Sequence, residues 1–130
     1  MRKILVVDDE ARIAELLEGF LIKSGFDVIK AFGGQEAIEI LNSGIKIDLM
    51  VLDMKMPEVS GCDVLLEMER INRRIPTLIF TGSIDAQIYL REFRALGYTE
   101  KDILYKPVDL FELLNSVKKK LKNCPPLRVF

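Results

Sequence analysis

The sequence predicts an α/β fold, a parallel sheet covered by helices on both faces. Three observations carry that prediction. Short β-rich apolar runs alternate with segments whose apolar residues recur at helical spacing, which calls for right-handed crossovers between parallel strands. The run Leu49-Met50-Val51-Leu52 is apolar without interruption, as suits a strand covered on both sides. A length of 130 residues, with no internal repeat and no interdomain linker, fits one domain with a sizeable core.

The elements follow in order. Lys3 to Val7 is a β-rich run that ends in Asp8-Asp9-Glu10. The first helix carries Ile13, Leu16, Leu17, Phe20 and Leu21 on one face, with Arg12, Glu15, Glu18 and Lys23 largely off it. Gly25 is its expected C-terminal cap. Asp27 to Ala31 is the second strand, Gly33-Gly34 the turn, and Gln35 to Leu41 a short helix ended by Asn42-Ser43-Gly44. The third strand delivers Asp53 to its end, and Asp48 reads as a cap at its start. A loop from Pro57 to Gly61 leads to a helix whose inner face is Val64, Leu65, Met68 and Ile71. Thr77 to Phe80 is the fourth strand, followed by Thr81-Gly82-Ser83, a helix from Asp85 to Leu96, and Gly97. The fifth strand, Ile103 to Tyr105, ends at Lys106-Pro107. The last helix spans Asp109 to Lys122, with Leu110, Leu113, Leu114, Val117 and Leu121 inward. The predicted domain therefore covers residues 1–122, and Pro125-Pro126 opens a loose tail over 123–130.

Composition excludes several function classes. Apolar content is 49% and charged content 30%, which excludes a disordered chain. The net charge of −1 provides no overall field to recruit nucleic acid or an anionic membrane. Lys118, Lys119, Lys120 and Lys122 read as the wet face of the last helix. No stretch approaches the ~20 apolar residues of a membrane span, and Met1-Arg2-Lys3 does not open a signal peptide. Cys62 and Cys124 make neither a metal pair nor a disulfide framework, so a reduced, cytoplasmic setting is expected. Histidine is absent, which removes the commonest general base and leaves oxygens as the ligands for any metal.

Four strand ends share one feature, a polar residue just past an apolar run: Asp8 and Asp9, then Asp53, Thr81 and Lys106. Each alone reads as a turn, cap or loop residue. In a parallel sheet, however, all four ends lie on one rim, the rim where ligands bind. Three carboxylates at one place call for a hard cation such as Mg2+. An ammonium and a hydroxyl beside that cation make a receptor for a phosphoryl group. A carboxylate inside it can act as nucleophile, in chemistry that needs positioning and charge neutralisation rather than histidine.

These residues resemble the receiver domain of bacterial two-component response regulators. The resemblance covers residues 3 to 121 and rests on Lys3-Ile-Leu-Val-Val-Asp-Asp-Glu10, Asp53-Met-Lys-Met-Pro57 with Gly61, Thr81-Gly82 and Lys106-Pro107. It implies a flavodoxin-like doubly wound sheet of strand order 2-1-3-4-5 with five helices on both faces, an order for which a receiver protein is itself a standard example. It implies that Asp53 is the phosphoacceptor, and that Mg2+ is held by Asp9, Asp53 and the backbone carbonyl of Lys55, with Asp8 acting largely through water. Thr81 and Lys106 would contact the phosphoryl group, and Pro107 would be cis. The implied donor is a phosphohistidine on a sensor histidine kinase or phosphotransfer protein, and the implied output is a downstream protein, with phosphorylation-linked dimerisation common in the family. Nucleic-acid contact by this domain and membrane contact are not expected. Nor is enzymatic activity beyond slow self-dephosphorylation, since a small-substrate phosphatase would need a further acid and a cap domain.

Two departures stand out. The family usually carries Tyr or Phe three residues before the Lys, where this chain has Ile103. Tyr105 shares that strand face by alternation; solvent exposure or packing is its expected role, and substitution for the missing aromatic at Ile103 is the alternative. The segment from Gly97 to Lys106 is also about two residues longer than the pattern. These departures motivate a rival reading, a phosphorylation-independent interaction module. Whether the receiver stands alone or forms part of a longer protein is left open by the residues.

Overall fold

The computed structural model describes residues 1–123. Its elements are β1 (Lys3–Val7), α1 (Ala11–Lys23), β2 (Asp27–Ala31), α2 (Gly34–Asn42), β3 (Leu49–Asp53), α3 (Gly61–Arg70), β4 (Thr77–Thr81), α4 (Ser83–Ala95), β5 (Ile103–Tyr105) and α5 (Leu110–Asn123). A 3-10 turn, Glu100–Asp102, precedes β5. The five strands form one parallel sheet in the order β2-β1-β3-β4-β5.

Strand alternation sorts the core into two layers. Leu5, Val7, Met50, Leu52 and Ile79 pack with Leu41 of α2, Leu65 and Met68 of α3 and Phe93 of α4. Ile4, Val6, Val51, Leu78 and Phe80 pack with Leu17 and Leu21 of α1 and Val117 and Leu121 of α5. The centre of the sheet, β3, is buried along all five residues, as its uninterrupted apolar run requires. The Asp48 carboxylate accepts the Lys3 N–H at 2.8 Å and closes the start of the sheet, the capping role its position suggested.

Several boundaries differ from the sequence expectation, each for a local reason. The fourth strand extends through Thr81 because Thr81 pairs with Tyr105 and its carbonyl accepts the Lys106 N–H at 2.9 Å. α4 begins at Ser83 rather than Asp85, since the Gly82 carbonyl already accepts the Ala86 N–H. Leu16 was expected inside but is about half exposed (48%), because the inner stripe of α1 runs through Ala14, Leu17 and Leu21. The segment before β5 includes the 3-10 turn: Thr99 caps it by accepting from Lys101 N, and Asp102 reaches back to Thr99 N at 2.8 Å. Lys120 pairs with Asp102 of that turn, so it leaves the solvated lysine face. Cys124 and the expected tail beyond Asn123 lie outside the described residues.

Two glycines are required by close approach. A Cβ on Gly61 would stand 2.7 Å from the Asp53 carbonyl and 2.8 Å from Met54 Cα. One on Gly34 would stand 2.4 Å from the Val59 carbonyl. Both contacts are to backbone, which cannot move aside. Gly61→Ala is therefore expected to destabilise the fold by about 1–3 kcal/mol in urea denaturation. An unchanged midpoint would show that the β3–α3 loop yields.

Candidate phosphoryl and metal site

The sheet places every predicted side chain at one rim. Asp8 follows β1, Asp53 ends β3, Thr81 ends β4 and Lys106 follows β5. Asp53 and Thr81 are the last residues of their strands rather than the first beyond them, so they share the rigidity of the sheet. Sheet-like bonds continue outward: Asp8 N donates to Ala31 O at 3.0 Å, Met54 N to Phe80 O at 3.1 Å and Lys106 N to Thr81 O at 2.9 Å. The Lys106-Pro107 peptide is cis.

Carboxylate oxygens of Asp8, Asp9 and Asp53 all lie within 4.8 Å of one another. Asp8 and Asp53 are buried and Asp9 is exposed, so the cluster opens to solvent through Asp9. Asp8 Oδ1 accepts the Glu10 N–H at 2.9 Å, while the buried Oδ2 has no hydrogen-bond partner. Lys106 Nζ lies 2.9 Å from Asp53 Oδ1. That ammonium is the charged partner of the buried Oδ1. An orphaned carboxylate oxygen on Asp8, in an acidic cluster that opens to solvent, fits a hard oxygen-loving cation.

The electrostatics agree with that fit. Burial raises the Asp8 carboxyl to about 6, with Asp53 and Asp9 adding to the rise against the Glu10 N–H and Lys106. Burial also raises Asp53, opposed chiefly by Lys106. For Lys106 itself burial disfavours the charge, but Asp53, Asp8 and Glu10 outweigh it and the pKa rises. The ammonium also stands 5.7 Å over the Phe80 ring. Without a cation the rim thus holds more negative charge than its one ammonium offsets.

The remaining candidates fall around this centre. Thr81 is buried, and its hydroxyl makes only a long 3.3 Å bond to the Gly82 carbonyl. Lys55 follows Asp53 by two residues and its side chain is exposed. Met54 and Met56 are buried beside the site, and Cys62 Sγ lies 3.5 Å from Met54 Sδ. Burial raises the Cys62 thiol to about 11, which keeps it protonated and supports a packing role. Ile103 is buried in the core, whereas Tyr105 is about half exposed (49%). Sequence reasoning had not singled out Glu10, whose N–H orients Asp8; the signal available was its place in the acidic run.

Comparison with known proteins places this geometry in context. The family model "Response regulator receiver domain" matches residues 4–118. Response regulator SaeR of Staphylococcus aureus is 33% identical over 125 residues, which are 95% of this chain and 53% of SaeR. The chain thus spans about half the length of the curated relatives it matches. A Francisella response-regulator receiver domain superposes with a TM-score of 0.84 at 27% identity, covering 96% of this chain and 100% of that one. Response regulator TrrA of Thermotoga maritima, solved in complex with Mg2+-BeF, superposes with a TM-score of 0.78 at 32% identity, covering 92% and 99%.

Proposed function

The chain belongs to the response regulator receiver family, a class of phosphoacceptor signalling modules rather than classical enzymes, and from that premise we propose that it is a switch set by phosphorylation of Asp53. The observation that carries this reading is the buried Asp53 carboxylate, paired with Lys106 and standing in a three-carboxylate cluster. An Asp53 oxygen attacks phosphorus, the P–N bond of a phosphohistidine breaks as the P–O bond forms, and the leaving imidazole takes a proton from solvent. Asp9 and Asp53, with the Lys55 carbonyl, would hold Mg2+, and Asp8 would act largely through water. When bound, the ion neutralises charge that develops on the phosphoryl oxygens. Lys106 supplies a fixed positive charge to the same oxygens, and the weakly held Thr81 hydroxyl is free to turn toward them.

The donor is a sensor histidine kinase or a phosphotransfer protein, as receiver domains take their phosphoryl groups from such partners. The output surface is proposed on α4, β5 and α5, where Ile84, Ile88, Tyr105 and Phe111 are exposed. It would engage a downstream protein or a second phosphorylated copy. No helix among the described residues is long and apolar enough to cross a membrane, and a cytoplasmic location is part of the proposal.

Incubation with acetyl phosphate followed by intact-mass analysis tests the reading. One phosphoryl group should be gained in Mg2+ and none in EDTA, and peptide mapping should place it on Asp53. A folded protein that gains nothing in Mg2+ would favour the phosphorylation-independent module. Lys106→Met should slow labelling about tenfold or more, since it removes one charged group aimed at the phosphoryl oxygens. Equal initial rates for the two proteins would remove Lys106 from the machinery.

A further inference from the structure

At the amino ends of β4 and β5, on the rim opposite Asp53, two neighbouring cavities share Asp102 and Lys120 as lining residues. One, about 450 Å³, is lined by Leu78, Lys101, Asp102, Ser116, Lys119 and Lys120. The other, about 290 Å³, has Ile75, Pro76, Leu96 and Tyr98 as apolar wall, with Arg74 and Glu69 at its edge. Asp102 is already engaged by Lys120, so it does not neutralise the remaining cations. Among the described residues Arg74, Lys101 and Lys119 have no ion-pair partner. The 3-10 turn sets this arrangement, because it carries both Lys101 and Asp102.

We propose that these neighbouring cavities together form a second binding site, for a nucleoside phosphate that reaches across the Asp102–Lys120 pair. The phosphate sits in the basic cavity, where Lys101 and Lys119 offer ammonium groups and Ser116 a hydroxyl. The flat base enters the second cavity against Tyr98 and Pro76, and the Glu69 carboxylate accepts from its amine or from a sugar hydroxyl. Size and mixed lining favour this ligand over a nucleic-acid strand, for which net charge gives no general attraction, and over a bare phosphate, which leaves the apolar cavity unfilled. The site is separate from the phosphoryl chemistry and does not depend on it.

The test is an amide NMR titration of the whole chain with ADP in EDTA, with pyrophosphate and adenosine as separate arms. ADP should give saturable shifts at Tyr98, Lys101, Ser116 and Lys119 while leaving Asp53 and Asp9 unmoved. Pyrophosphate and adenosine should each bind more weakly than ADP. The double variant Lys101→Ala with Lys119→Ala, both exposed positions, should keep the spectrum of a folded protein and bind ADP about tenfold more weakly. No saturable shift at these amides, or shifts confined to the Asp53 rim, would overturn the site. Pyrophosphate binding as tightly as ADP would overturn the nucleoside assignment.

Discussion

Asp53→Asn is expected to take no phosphoryl group from acetyl phosphate under conditions that label the wild type fully. The amide has the size of the carboxylate but lacks a nucleophilic oxygen of comparable strength, and no other carboxyl in the cluster is paired with the ammonium of Lys106. The fold should survive. Burial raises the Asp53 pKa despite Lys106, so the ionised side chain is a net burden on the metal-free fold at neutral pH, and a neutral amide lifts it. Lys106 then loses its partner but is one-third exposed and keeps part of its hydration. Mass spectrometry reads the first outcome and thermal unfolding in EDTA the second. Full labelling of a folded Asp53→Asn protein would end the assignment of Asp53.

Asp8→Asn should make the metal-free protein more stable and less responsive to Mg2+. The Asp8 carboxyl is raised from 3.8 to about 6 in the folded chain. Between those values the folded state binds more protons than the unfolded state, so wild-type stability falls as pH rises from about 4 to about 6 and then levels off. At pH 7 the penalty is on the order of 2–3 kcal/mol, and removing the charge should recover much of it. At pH 4 the two proteins should differ little. Mg2+ should stabilise the wild type by mass action and the variant much less. Urea denaturation in EDTA at pH 4 and pH 7, repeated in Mg2+, measures both effects. A variant less stable than wild type at pH 7 in EDTA would mean that the Glu10 N–H bond to Asp8 outweighs its desolvation.

The rim of polar residues was legible because each stood at the end of an apolar run, and parallel pairing leaves such residues no other place to go. Asp8, Asp9, Asp53 and Lys106 come together as that reasoning required, with Thr81 at the end of the strand beside Asp53. The strand order came with the family resemblance, since apolar runs alone do not say which strand lies beside which. The 3-10 turn was not legible as an element. Three residues carry no periodicity, and the Thr99–Asp102 capping box shows only in the folded chain. Leu16 misled because an apolar residue on a helix marks the inner face only when its neighbours four residues away are also covered. Lys120 looked like its solvated neighbours until Asp102, distant in sequence, was placed beside it.

The bonds that fix Asp8, Met54 and Lys106 run from main chain to main chain. Such bonds do not register which side chain a residue carries. Descendants of one ancestor can therefore exchange most of their amino acids while inheriting the same frame. A Francisella domain and a Thermotoga protein that share only 27% and 32% of residues with this chain keep its outline. Divergence is then free to act on the exposed helices, where kin that share a reaction can come to differ in the company they keep.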